Sequence, residues 1–153
     1  MSTPILMSHC GPCSDDPCQK RGELAIDYDW SGTGMRDLDT RTDFLGAQVG
    51  WSCGSGSEYL HWTTSDNTAF DGAEHVDVEV DSARAAGLWV SSVTIDLAAG
   101  WYAPASGSGP ALVRVTYKGV TKTKQISPGS QSSCASTSVG TITVYDDGTF
   151  TLN

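Results

Sequence analysis

Asp37-Leu38-Asp39 places two carboxylates on alternate positions of the chain, and Ser65-Asp66-Asn67 and Asp71-Gly72-Ala73-Glu74 add more acids on turn-forming residues. In an extended segment alternate side chains share a face, so Asp37 and Asp39 point together while Leu38 points into a core. Two carboxylates held side by side repel unless a cation or a donor lies between them. A second acidic cluster arriving on turns completes the oxygen cage that a hard divalent cation requires. Asp37, Asp39, Asp66, Asp71 and Glu74 offer carboxylates and Asn67 an amide oxygen, with backbone carbonyls near Leu38 or Thr68 to fill the remainder. Calcium takes about six to eight oxygen ligands and tolerates irregular loops, whereas magnesium demands stricter octahedral geometry. Zinc prefers nitrogen and sulfur, so calcium is the expected ion. The rival reading makes the same acids Asx-turn formers and solvent-facing loop charges.

The cysteines are the second chemical feature. Cys10, Cys13 and Cys18 crowd the N-terminus, and Cys53 and Cys134 lie in Gly/Ser-rich stretches. Loop placement points to disulfides or metal, and an odd count leaves one thiol unpaired or bonded to another subunit. His9 with Cys10, Cys13 and Cys18 gathers four soft ligands, but a zinc knuckle uses paired ligands from two places and only one cluster is present. Catalysis finds little to build on. His61 and His75 have plentiful Ser and Asp around them without a nucleophile elbow, and Gly54-Ser55-Gly56-Ser57 is a glycine run with no helix after it. Asp37 and Asp71 as a glycosidase pair, and Trp30, Trp51, Trp62 and Trp101 as a sugar-stacking face, compete with metal binding and with ordinary core packing.

The elements that must hold these residues read as strands. Residues 1–22 lack periodicity and carry Pro4, Pro12 and Pro17, which predicts an extended Cys-rich arm ahead of a domain over 23–153. Leu24, Ile26, Tyr28 and Trp30 alternate with Ala25, Asp27 and Asp29, and Val76, Val78 and Val80 with Asp77, Glu79 and Asp81, the pattern of half-buried strands. Further strands are expected over 44–51, 58–62, Trp89 to Leu97, 112–117, 120–126, 141–145 and 149–152. Lys118-Gly119 and Asp146-Asp147-Gly148 are hairpin turns. A single short helix fits 82–87, with Asp81 or Ser82 as its cap and Gly87 as its stop. About eight to nine short strands with frequent turns predict an all-β fold, an antiparallel β-sandwich.

From Leu24 to about Tyr117 the chain resembles the tellurite-resistance (TerD-type) family of calcium-binding β-sandwiches. Asp27-Tyr28-Asp29-Trp30 followed by Asp37-Leu38-Asp39 is similar to that family's opening strand and Asp-Leu-Asp motif. Leu60 to Asn67 is similar to its strand running into Gly-Asp-Asn, with Ser65 in place of the glycine, and Asp71 to Val78 to its acidic turn and following strand. The resemblance implies calcium on these motifs and a cytoplasmic role in metal stress. The third motif has lost several acids, which leaves the family's second metal site open.

Composition narrows the partners. A net charge of −9 argues against nucleic acid, and Arg114, Lys118, Lys122 and Lys124 form a solvated hairpin face without interleaved aromatics. No stretch has the length of a membrane span, and residues 1–9 do not read as a secretory signal. Disulfide-prone loops on a chain made in a cytoplasm, with an arm lacking its own core, lead to an expectation of a non-enzymatic structural protein of a virus particle. A tailed-phage decoration or linking protein would dock on other virion proteins or copies of itself, locked by inter-subunit disulfides. The cytoplasmic TerD-like stress protein and a carbohydrate-binding module or adhesin are the alternatives.

Overall fold

The computed structural model describes residues 21–64, 66–102 and 109–153. His9, Cys10, Cys13 and Cys18, and the arm apart from Arg21 and Gly22, lie outside the described residues. Two sheets pack face to face as an antiparallel sandwich. In the first, β5 (Leu60–Trp62), β6 (Ala73–Val78), β1 (Leu24–Asp29), β8 (Ala111–Tyr117) and β9 (Val120–Ile126) lie in that spatial order. The second runs β12 (Phe150–Leu152), β11 (Ser138–Tyr145), β7 (Ser92–Tyr102), β2 (Leu38–Phe44), β3 (Ala47–Gly50), β4 (Gly54–Ser55). The short β10 (Ser130–Gln131) pairs in parallel with the end of β7, beyond the point where β11 departs.

Alternation along each strand fills the space between the sheets. Leu24, Ile26 and Tyr28 meet Val76, Val78, Val113, Val115 and Tyr117 from their own sheet, and Leu38, Phe44, Ile95, Leu97, Trp101, Ile142 and Val144 from the other, all buried. Each such side chain contributes about 1.5–3 kcal/mol by leaving water. Trp30 and Trp101 cross edge-to-face at 6.4 Å with both rings fully buried, so neither belongs to a sugar-stacking face.

Several boundaries differ from the sequence expectation. The segment expected as one strand over 44–51 is a hairpin, because Leu45 and Gly46 turn the chain at positive φ (50° and 82°) without the usual Asn-Gly or Asp-Gly. Asp39 to Asp43 therefore belongs to a central strand rather than to a connection. The helix, α1, spans Val80–Ala85 instead of 82–87, and no side chain of its own cap residue closes it. Glu23 does so from a distance, its Oε1 accepting the Asp81 and Ser82 amides at 2.9 Å each. Trp89 is buried before β7 begins, its indole donating to the Val80 carbonyl at 2.9 Å.

The hairpin cations have partners. Lys122 and Lys124 reach from β9 to the Phe150 and Val139 carbonyls (2.5 and 2.8 Å), tying the edge of one sheet to the edge of the other. Arg114 faces Asp27 and Asp29, and Lys118 faces Asp81. On the opposite flank Gly50 (φ 152°) lets β3 approach β2, since a Cβ there would sit 2.0 Å from the Thr40 carbonyl oxygen.

A disulfide joins Cys53, beside β4, to Cys134, between β10 and β11, across a separation of 81 residues. This bond lies within one chain, so Cys53 and Cys134 are not inter-subunit links. Replacing both by serine frees the unfolded chain by about 4.5 kcal/mol in the chain-entropy description. The urea midpoint of the double variant should fall accordingly; an unchanged midpoint would mean that the loops are held by their hydrogen bonds alone.

Candidate metal centre

The acidic motifs meet at the pole where β2 starts and β7 ends. Asp37 precedes β2 with φ at 62°, a left-handed conformation that aspartate tolerates better than most residues. Its carbonyl accepts the Tyr102 amide at 3.0 Å, which extends the β2–β7 ladder by one residue. Leu38 then enters the core, and Asp39 emerges beside Asp37. The loop after β5 brings Asp66 to the same place. One carboxylate oxygen from each of Asp37, Asp39 and Asp66 lies within 4.8 Å of the others. Asp37 and Asp39 are only 6% and 2% exposed, while Asp66 faces solvent.

Glu74 stands behind this triad on the core side. It pairs with Tyr28 across β6 and β1, is fully buried, and accepts the Thr40 hydroxyl at 2.7 Å and the Asn67 amide at 2.9 Å. Asp39 Oδ2 accepts the Gln131 amide at 3.2 Å. Asp37 Oδ1 is buried with no hydrogen-bond partner. A buried acceptor without a donor costs about 1–3 kcal/mol, more when charged, which makes this oxygen the exposed nerve of the site.

Two of the six expected ligands are otherwise engaged. Asn67 shapes the loop: its side-chain oxygen accepts the Ala69 amide and its NH2 donates to the Ala73 carbonyl, both at 2.9 Å. Asp71 sits in a tight turn at φ 51°, exposed, with Oδ1 on the Gly34 amide at 2.7 Å. For Asn67 the Asx-turn reading holds, because short polar side chains bond neighbouring backbone more readily than they project into a cage, whereas Asp71 ties its turn to the distant Gly34 backbone. Thr40, Gln131 and Gly100 carry no sequence signal yet complete the surroundings. A Cβ at Gly100 would lie 2.6 Å from Gln131 Cγ, so glycine is what lets that side chain cross β7 toward Asp39.

The electrostatics follow from the crowding. Burial pushes the Glu74 carboxyl up to about 9, against the pull of the Asn67 and Thr40 donors and with the Asp66 charge adding to it. Burial raises Asp39 to about 7, partly offset by Gln131 and reinforced by Asp37 and Asp66. Asp37 is raised too, by burial and then by Asp66, with Arg36 opposing. Protons thus hold the cluster together when no cation does. A hard cation seated on Asp37, Asp39 and Asp66 would replace them, and the all-oxygen donor set suits calcium better than zinc.

No protein-family model, curated protein or solved structure matches the chain. The TerD-type resemblance therefore rests on the motif residues alone. Among the described residues no helix is long and apolar enough to cross a membrane. His61 and His75 lie elsewhere, in charge networks. His75 Nδ1 contacts Asp27 at 2.5 Å on the outer face of the first sheet, where Arg21 also binds Asp27 and Asp77, and His61 lies 3.7 Å from Glu79.

The raised carboxyls set a pH dependence of stability. At Asp39 and Glu74 the folded chain keeps protons that the unfolded chain releases above its ordinary values of 3.8 and 4.5, so their contribution to stability is fullest below that range and is lost as pH climbs through about 7 and then about 9. In chelator the melting temperature should be lower at about pH 8.5 than at about pH 5, and Glu74→Gln should flatten the slope. A profile equally steep in Glu74→Gln would place the titrating groups elsewhere.

Proposed function

We propose that this protein is a non-catalytic structural module, a β-sandwich braced at one pole by a calcium ion. The convergence of Asp37, Asp39 and Asp66 around the partnerless Asp37 Oδ1 carries this reading. Acids placed for solvation alone would spread outward; two of these three are buried against each other. The TerD-type motifs support the same ion through Asp37, Asp39 and Asp66, with Glu74 as the support behind them.

The setting we propose is a particle outside the reducing cytoplasm, with a virus particle as the leading case and copies of this chain or other particle proteins as partners. The Cys53–Cys134 bond supports it, since structural disulfides persist under oxidising conditions and are rare in the cytosol. The acidic charge of −9 suits a protein surface as partner better than nucleic acid.

Calcium at about a hundred times its dissociation constant adds roughly 2.7 kcal/mol to folding, which raises the melting temperature by several degrees in a domain of this size. Asp39→Asn should abolish that gain while leaving the melting temperature in chelator unchanged or slightly higher, because it removes one repelling charge. Equal loss with and without calcium would give Asp39 a purely structural role.

For the assembly, Cys10, Cys13 and Cys18 are the remaining sources of inter-subunit disulfides. Non-reducing gels of protein from its natural setting should show crosslinked species that collapse on reduction. A single monomeric band before and after would count against covalent locking of the particle.

A further inference from the structure

The segment that follows β9 is threaded across the outer side of β7 and β2 next to the acidic pole. The Gly129 carbonyl accepts the Trp101 amide at 2.8 Å, and Ser130–Gln131 runs parallel with Trp101–Tyr102. The Ala135 carbonyl accepts Arg41 Nη1 at 2.6 Å, and the Thr137 carbonyl accepts the Ala99 amide at 3.2 Å. Between these anchors Cys134 is bonded to Cys53. Gln131 Nε2 donates to Asp39 Oδ2 and also to the Ser133 carbonyl at 2.5 Å, so the side chain is tied both to the acid and to the stretch leading into Cys134.

We infer that Gln131 is a positioning residue for the cation site and that the Cys53–Cys134 bond is its mount, coupling calcium affinity to the redox state of the bridge. This rests on the calcium reading of the pole. A donor on Oδ2 leaves Asp39 Oδ1 to turn toward the ion, and partners of ligating carboxylates typically contribute about 10–100-fold to metal affinity. Gly100 fits this role, because any larger residue there meets Gln131 before it reaches Asp39. Reduction by a dithiol transfers two electrons and two protons to the bridge, leaving two thiols while the dithiol closes into its own disulfide. The β3–β4 loop and the segment from Gln131 to Thr137 are then no longer joined covalently.

The test is calorimetric titration with calcium of oxidised protein, dithiol-reduced protein, Gln131→Ala and Gly100→Ala, the two variants each in both redox states. Oxidised wild type should bind most tightly. Gln131→Ala and Gly100→Ala should each weaken binding about tenfold. Reduction should weaken wild type in the same direction and leave Gln131→Ala unchanged, an insensitivity that a merely structural loop would not produce. Gln131→Ala keeps the bridge intact, so the inference stays falsifiable if reduction unfolds the domain. Calcium binding that is equally tight in oxidised wild type and Gln131→Ala overturns the positioning role and leaves the metal site standing. Failure of oxidised wild type to bind calcium at all overturns the metal reading, and this inference with it.

Discussion

Asp37, Asp39, Asp66 and Glu74 crowd four carboxyl groups into a partly dry pole, and the surrounding structure is arranged to answer the repulsion their ionisation would bring. Taking a single ion out of water costs several kcal/mol even after relaxation. An apolar cluster at the same place would have stabilised the sandwich at no such cost. The chain instead spends donors on it: the Thr40 hydroxyl and Asn67 amide on Glu74, and the Gln131 amide on Asp39. Those donors do not reach Asp37 Oδ1. Neutral donors relieve a carboxylate, whereas a proton or a cation is needed to cancel it, and a divalent cation can serve all three carboxylates at once.

The rest of the molecule shows how the same fold treats acids that need no ion. At the opposite pole Asp81 takes the Tyr117 hydroxyl at 2.6 Å and Lys118 at 3.2 Å, and Asp146 lies 3.9 Å from Arg84. On the outer face of the first sheet Asp27 is shared by Arg21, Arg114 and His75, and His75 and Arg21 hold its carboxyl below the ordinary range despite burial. Nearby cations neutralise these acids locally, and at Asp27 cross-strand pairing sets Arg114 and His75 in register. The triad differs in kind: burial raises both Asp37 and Asp39, and the Asp66 charge adds to each.

Much of this was legible because strand periodicity is a local property. Leu24 to Asp29 and the Val76–Val78 alternation fall in strands whose apolar residues face inward, and the order of the acidic motifs placed Asp37, Asp39 and Asp66 at one pole. The losses came from long-range chemistry. The Leu45–Gly46 turn lacks a common hairpin dipeptide, so the strand expected over 44–51 ran the end of β2 into β3 and left the rest of β2 out. The cap on α1 comes from Glu23, far away in sequence, and no spacing rule reaches it. Asn67 and Asp71 have the composition of ligands and the geometry of turns, a distinction that depends on which backbone amide is within reach. Gln131 is a common residue in a polar loop, and its meaning appears only when β10 lies beside β7.

The two braces proposed here act on different states of the chain. The Cys53–Cys134 bond narrows the unfolded ensemble and so stabilises whatever the solution contains. A bound ion acts on the folded state alone, in proportion to the logarithm of its free concentration. Both converge on the segment that carries Gln131, one through Cys134 and the other through Asp39. A domain built this way is firmest where thiols are oxidised and calcium is plentiful, and loosest where thiols are kept reduced and calcium scarce. Those are the conditions outside and inside a cell. On the proposed calcium reading the same sequence would emerge from synthesis comparatively pliant and stiffen once its pole filled and its bridge closed, the behaviour that the proposed particle component, assembled within a cell and exposed afterwards, would require.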